Sequence, residues 1–518
     1  MLQIVRLIIV SFIFLSGLFL LGISLSGCAA SERISDGRMV IDNVTIVSPE
    51  RAAPLNDAWV VVEDGWITDV GVGDAPRVGR ILDFSGSFVI PGLIDSHVHL
   101  YHATGLRRQL TADYAALYAA YMDQMPRSYL YFGFTGLVEL NADFGSNDKF
   151  NAAALHPRLF HCGQGVVLPD GFMALEVPGE RFIGTFPGFL IDSYRDGFVP
   201  ADADPAEHTP DAVVRHIKAQ GGRCVKLYYE EALWWPGDEP LQFELPTIDI
   251  IRDVLSAARA QSMPVLLHAT TPNGLQVALD AGVDILAHGM WEWPDQAFDA
   301  PLPLPEYQRL MDRLARSPIK LQPTFNTIRN TQSLFRPEVL QDPRWSDVVP
   351  EAYLHYLQTD AQAQRDTFLR MFSATIEQSA SDRPLAELQE AFNQRYERLI
   401  RRAYDAGADL LFGTDTAVGG FGWSSPPGLA GYWEIQTWAR VGIPLDEILA
   451  AMTIDNATAF GLEAELGTVE PGKRADLVIL RQNPLQSATA YDTISHIVVD
   501  GVLINREQLS ARLDSSPP

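Results

Sequence analysis

The sequence predicts an α/β chain: a (β/α)8 TIM barrel carrying a small β-sandwich built from both chain ends. Two patterns predict the architecture. Eight short apolar runs recur through the middle of the chain, with amphipathic stretches between several of them, whereas the two ends hold short strands separated by turns. A third observation places a site on it. His97, His99, Lys226, His268, His288 and Asp415 lie on or at the close of these runs, and the C-terminal rim of such a barrel collects side chains from strand ends.

At 518 residues and 47% apolar, the chain can bury one large domain with an appendage, which excludes a disordered class. Asp and Glu number 65 against 39 Lys and Arg, and the net charge of −26 is spread along the sequence. Such a surface repels nucleic acid, so that partner is set aside; beyond this it reads as a solvated acidic surface.

Residues 1–27 read as a targeting segment. Arg6 is followed by an apolar run from Leu7 to Leu25, and Leu25-Ser26-Gly27-Cys28 precedes Ala29. The pattern resembles the signal peptide and lipobox of bacterial lipoproteins. That resemblance implies lipid on Cys28 and a place in the cell envelope, at the outer membrane or the periplasmic face. An uncleaved anchor is the competing reading, since the run is nearly long enough to span a bilayer. Both readings export and tether the protein. Residues 28–37 read as a linker.

Residues 38–41, 44–47, 59–62 and 66–70 read as strands, with Glu63-Asp64-Gly65 as a hairpin turn. Near the far end, residues 477–480, 494–499 and 502–504 repeat the pattern around Asp500-Gly501. One composite β-sandwich from residues 38–89 and 464–505 is therefore expected. Residues 90–463 hold the barrel. Its first run ends at His99, and the others cover residues 136–140, 159–163, 224–228, 265–268, 285–288, 319–323 and 410–415. Residues 248–261 and 274–281 are amphipathic helices between them. The polar, helical segment at about 335–399 is too long for a simple connection and reads as a lid or a wall of the site. Cys162 and Cys224 fall in runs that read as buried strands. Free buried thiols are the plainer reading, and their place on neighbouring strands leaves a disulfide open.

The spacing of His97 and His99 puts both imidazoles on one face of a strand, and neutral imidazole is a common metal ligand. His-x-His alone is a frequent coincidence. Lys226, His268, His288 and Asp415 at other strand ends make coincidence a poor account of the set.

The stretch Ile90-Pro91-Gly92-Leu93-Ile94-Asp95-Ser96-His97-Val98-His99 belongs with several further motifs. These are His268-Ala269-Thr270-Thr271, Ala281-Gly282-Val283-Asp284, His288-Gly289, Gly413-Thr414-Asp415-Thr416 and the closing stretch from Gly467 to Leu480. Together they resemble the amidohydrolase superfamily, in the group similar to imidazolonepropionases and prolidases, from about Met39 to Ile504. The resemblance implies a metal-dependent hydrolase of a C–N bond in an amide, peptide or cyclic amide, with two divalent metals, zinc by expectation. It implies His97, His99 and Asp415 as ligands of the more buried metal, His268 and His288 as ligands of the second, and Lys226, carboxylated to a carbamate, bridging the two. A salt-bridged Lys226 beside a single metal is the alternative. Metal-activated hydroxide would attack the carbonyl, with Asp415 carrying the proton to the leaving group.

Deaminases of this superfamily usually carry a glutamate shortly after the strand-five histidine, and Ala269-Thr270-Thr271-Pro272-Asn273 has none. A deaminase is therefore the lesser reading, and an inactive envelope binding protein the other alternative. Tyr228 and Tyr229 are candidates to bind substrate or simply to pack. Trp234-Trp235 and Trp291-Glu292-Trp293 are candidate pocket walls or loop packing. The partners implied are a small-molecule or short-peptide substrate, the membrane through the lipid anchor and, in a homo-oligomer, a second copy of the chain.

Overall fold

The computed structural model describes residues 37–174, 177, 181–233, 241–293, 301–366, 369, 383–417 and 422–515. Residues 1–36 with Cys28, Trp234, Trp235 and part of the segment at 335–399 lie outside the described residues. No helix among the described residues is long and apolar enough to cross a membrane.

The N-terminal strands are β1 (Arg38–Ile46), β2 (Leu55–Glu63), β3 (Trp66–Val72), β4 (Arg80–Asp83) and β5 (Phe88–Pro91). β2 and β3 form a hairpin in which Glu63 faces Trp66 across Asp64-Gly65. Both turn residues have positive φ, +50° and +81°, as a two-residue turn matching strand twist requires. β1 pairs antiparallel with β2 on one edge and parallel with both β4 and β5 on the other, so the sheet forks there.

The chain leaves this sheet at Gly92. A Cβ at Gly92 would lie 1.9 Å from Thr135 Oγ1, so only glycine lets the backbone pass. β6 (Leu93–Val98), β7 (Phe134–Glu139) and β8 (Arg158–His161) then form a parallel three-stranded sheet. After β9 (Val225–Tyr228) comes a two-residue ladder, β10 (Ala232–Leu233) with β11 (Leu241–Gln242). β12 (Val265–His268), β13 (Ile285–Ala287) and β14 (Lys320–Gln322) complete a second parallel sheet in the order β14-β13-β12-β9. Helices Pro210–Ala219, Ile248–Ala260, Pro272–Ala281 and Pro305–Ala315 lie between strands. The first three of these are N-capped by Thr209, Thr247 and Thr271, each accepting a backbone N–H of the first turn.

The mixed α/β architecture is present, but one closed eight-stranded ladder is not. The parallel strands form sheets of three and four, and the expected eighth run makes only single bridges, Leu410 to Leu321 and Thr416 to Val98. The cause is local: Asp415 has φ +58°, outside the extended region a ladder needs. At the other seam Val166 bridges Leu227, and a disulfide joins Cys162, just past β8, to Cys224, just before β9. The two thiols that read more plainly as free are therefore paired. Within the long segment, helix Leu385–Asp405 buries Tyr396, whose hydroxyl accepts from Gly289 N–H (2.9 Å) and donates to Pro323 O (2.5 Å). It thus packs under the residue that follows His288.

β15 (Leu477–Leu480), β16 (Ile494–Val499) and β17 (Val502–Asn505) return to the first sheet, in the order β17-β16-β15-β5-β1-β2-β3. The expected two-layer sandwich appears as one forked sheet of eight strands. Its core includes Met39, Ile41, Val60, Val89, Leu477, Ile479 and Val498. Arg158 of β8 ties the two parts together through Asp476, Nε to Oδ2 at 2.6 Å.

Candidate metal centre

Every residue of β6 is buried, so the strand can present side chains only to other parts of the interior. Asp95 anchors its end. Its carboxylate accepts His97 N–H (3.2 Å), Thr414 N–H (3.0 Å) and Thr414 Oγ1–H (2.6 Å), joining the strand to residues 413–416. Gly413 permits that approach, since a Cβ there would stand 2.8 Å from His97 Cβ. Asp415 N–H then donates to His97 O at 2.8 Å.

Positive φ at Asp415 turns its carboxylate toward the histidines. Oδ1 lies 3.3 Å from His97 Nε2 and 3.2 Å from His99 Nε2, while Oδ2 accepts Thr327 Oγ1–H at 3.1 Å. His288 also has positive φ, +76°, and its ring centroid is 4.8 Å from those of both His97 and His268. Two non-glycine residues in this sparsely populated region at one spot are characteristic of functional sites. Ligand atoms of His97, His288 and Asp415 all lie within 4.8 Å of one another. His288 thus stands equally close to His97, an expected ligand of the first metal, and to His268, its expected partner at the second.

The electrostatics suit a cation. Burial would raise the Asp415 carboxyl, but the imidazoles of His97 and His99, with Nε2 at 3.3 and 3.2 Å from Oδ1, outweigh it and hold the group well below the ordinary carboxylate range. Burial, with Lys226 nearby, pushes His97 and His268 down to about 3, and burial drives His288 well below its ordinary value. Burial also disfavours charge on His99, yet bonds to Asp415 and Glu139 push it up to about 9. Lys226, 1% exposed, is brought down to about 7 by burial, against the attraction of Asp415. Among the described residues neither ring nitrogen of His97 has a hydrogen-bond partner, although the residue is fully buried. Such an orphaned imidazole beside an ionised carboxylate fits a metal ligand set.

His268 Nε2 lies 2.8 Å from Glu230 Oε2, and the Phe172 ring stacks on the imidazole at 5.5 Å. Tyr228 stands 5.8 Å from His268 between ring centroids, with Lys226 Nζ 5.7 Å from its ring. Tyr229 faces elsewhere: its hydroxyl accepts Asn273 Nδ2–H at 3.0 Å and its ring joins the main apolar core. The Trp291 ring lies tilted at 57° to that of His288, with centroids 5.0 Å apart.

Sequence reasoning missed three partners. Glu139 lies 3.1 Å from His99 Nδ1, Glu230 meets His268 as above, and Thr324 Oγ1 is 2.8 Å from His288 Nδ1. The only signal for Glu139 and Glu230 was an acid closing or closely following an apolar run.

The sequence model of the amidohydrolase family matches residues 361–504. An imidazolonepropionase of Porphyromonas gingivalis is 30% identical over 146 residues, 27% of this chain and 33% of that protein. A 5-methylthioadenosine/S-adenosylhomocysteine deaminase of Teredinibacter turnerae is 32% identical over 113 residues, 19% of this chain and 26% of that protein. The chain thus spans about a third or less of the length of these curated relatives. Among solved structures, a Xaa-Pro dipeptidase with methionine bound in its active site has the same fold. It matches with a TM-score of 0.58 at 19% identity, over 90% of this chain and all of that one.

Proposed function

We propose that this chain is a member of the amidohydrolase superfamily and a metal-dependent hydrolase of C–N bonds in amides, peptides or cyclic amides; the family-model match over residues 361–504 and the similarity to an imidazolonepropionase support this reading. The observation that carries the reading is the convergence of His97, His288 and Asp415, with His99 against the same carboxylate. The chemistry that a divalent metal, zinc by preference, supplies at such a spot is the acidification of water and the polarisation of a carbonyl. Asp415 is ionised, and so takes the proton of the attacking water and hands it to the leaving nitrogen. Phe172, Tyr228 and Trp291 supply an apolar wall for the substrate.

We read the two parallel sheets and residues 409–416 as one (β/α)8 barrel spanning residues 90–463, with residues 38–89 and 464–505 as its companion domain. Bonds from Leu321 N–H to Asp409 O and from Ser96 N–H to Phe412 O support that closure. A Lys226 amine that burial brings down to about 7, and that is therefore partly neutral near pH 7, suits the two-metal reading, because only the free amine takes up carbon dioxide to become the bridging carbamate. The lipobox reading of Cys28 assigns the protein to the cell envelope. The Cys162–Cys224 disulfide agrees with export, since such bonds persist in oxidising compartments.

The test is a screen of dipeptides, N-acyl amino acids and lactams with zinc or manganese supplied and with chelator added. Chelator-sensitive release of an amine or acid is expected, and no turnover of any member by folded, metal-loaded protein contradicts the reading. Deamination, favoured by the deaminase relative, is the second reading, and release of free ammonia identifies it.

A further inference from the structure

We propose that Glu434 is a positioning residue for the proton step: through the turn at residues 324–327 it holds Thr327 against the carboxylate of Asp415. The inference rests on the reading of Asp415 as the proton carrier given above.

Glu434 lies on helix Leu429–Val441 and is 1% exposed. Its Oε1 accepts Phe325 N–H (3.0 Å) and Trp438 Nε1–H (2.9 Å), and its Oε2 accepts Asn326 N–H (2.7 Å). No cation pairs with it among the described residues, and burial pushes its carboxyl up to about 8 although these three bonds pull the other way. A buried carboxylate without a counterion is costly to keep, and an apolar side chain would fill the same place without that cost. Its use lies in the turn it grips. Thr324 has φ +45°, an unfavourable conformation for a β-branched residue, and the two N–H groups that follow it are the ones Glu434 holds.

That turn reaches the site twice. Asn326 Nδ2 donates to Thr414 O (3.0 Å) and to Ser425 Oγ (2.9 Å), which fixes the backbone just before Asp415. Thr327 Oγ1–H donates to Asp415 Oδ2 (3.1 Å), which fixes the side chain and leaves Oδ1 toward His97 and His99. One buried carboxylate thus sets, through the turn, the plane of another that moves the proton. That plane matters, because misplacing a reacting group by about 1 Å can cost about 100-fold in rate.

The experiment uses the mature, zinc-loaded chain with the dipeptide, N-acyl amino acid or lactam that it cleaves in the screen above. At position 434 a glutamine must turn its NH2 toward at least one of the three donors. In Glu434→Gln and in Thr327→Val, kcat is expected to fall roughly 10–100-fold with KM within about 3-fold and zinc content unchanged. Thr327→Ser, which keeps the hydroxyl, is expected to stay within about 3-fold of wild type in both constants. The variant carrying both Glu434→Gln and Thr327→Val is expected to lose no more than the worse single variant, since the two act along one path. Wild-type kcat in either single variant, loss of zinc in place of kcat, or losses that multiply in the double variant overturn the proposal. A second arm needs no turnover. Amide hydrogen exchange of the metal-free protein is expected to quicken in Glu434→Gln at residues 325–327 and also at 414–416. Exchange unchanged at 414–416 overturns the proposal, since Glu434 then braces only its own turn. If folded, zinc-loaded wild type cleaves nothing, the hydrolase reading falls, and exchange at 414–416 still decides this one.

Discussion

Lys226→Met should make the metal-free protein more stable while abolishing its activity. The lysine is fully buried and makes no ion pair among the described residues, and burial lowers its amine from 10.5 to about 7. At about 1.36 kcal/mol per pH unit, that difference amounts to about 5 kcal/mol between the two protonation states. Between pH 7 and 10.5 the unfolded chain holds a proton that the folded chain gives up, so stability rises with pH through this window. The penalty at pH 7 is about 4 kcal/mol, and it vanishes above the unfolded value. Methionine has similar length and no charge, so it removes the penalty without opening a cavity. Urea unfolding in metal-free, bicarbonate-free buffer should show the variant about 2–4 kcal/mol more stable at pH 7, with the gain shrinking toward zero near pH 10.5. A variant less stable at pH 7, or a gain that does not change with pH, would refute the reasoning. Lys226 would then not be a destabilising buried amine kept for chemistry.

Three further outcomes are expected. Asp415→Asn should lose hydrolysis by at least about 100-fold while far-UV circular dichroism stays native, because the amide is nearly isosteric but a far weaker base; activity within a few-fold of wild type rules out the proton shuttle. Replacing Cys162 and Cys224 together by alanine should lower stability by about 4 kcal/mol, the loop-closure value for 62 residues, and the mature protein should titrate no free thiol at this pair. Cys28→Ser should abolish incorporation of radiolabelled fatty acid, and label retained on the variant would exclude the lipobox.

His97 and His99 were legible because two-residue spacing and a buried strand leave both rings one direction to point. His268, His288 and Asp415 were legible as polar residues closing apolar runs. What escaped depends on which strands become neighbours. Glu139 meets His99 across 40 residues, and Glu230 meets His268 across 38. Nothing in local periodicity distinguishes such acids from the many others. The disulfide was equally a matter of neighbours, since both cysteines fit buried strands whether paired or free. Closure at the eighth run failed as a ladder for a backbone reason: positive φ at Asp415 serves the site at the expense of extended pairing. The φ of +76° at His288, whose ring stands 4.8 Å from those of both His97 and His268, is likewise something no sequence pattern announces.

The central claim is that this rim of strand ends holds catalytic metal. Its most direct test is the metal content of the folded protein, truncated after Cys28, expressed with zinc or manganese supplied, desalted and measured by elemental mass spectrometry. The account predicts close to two divalent ions per chain, falling sharply when His97 and His288 are both replaced by alanine. Metal content near zero in folded wild-type protein, or content unchanged in the double variant, would contradict it.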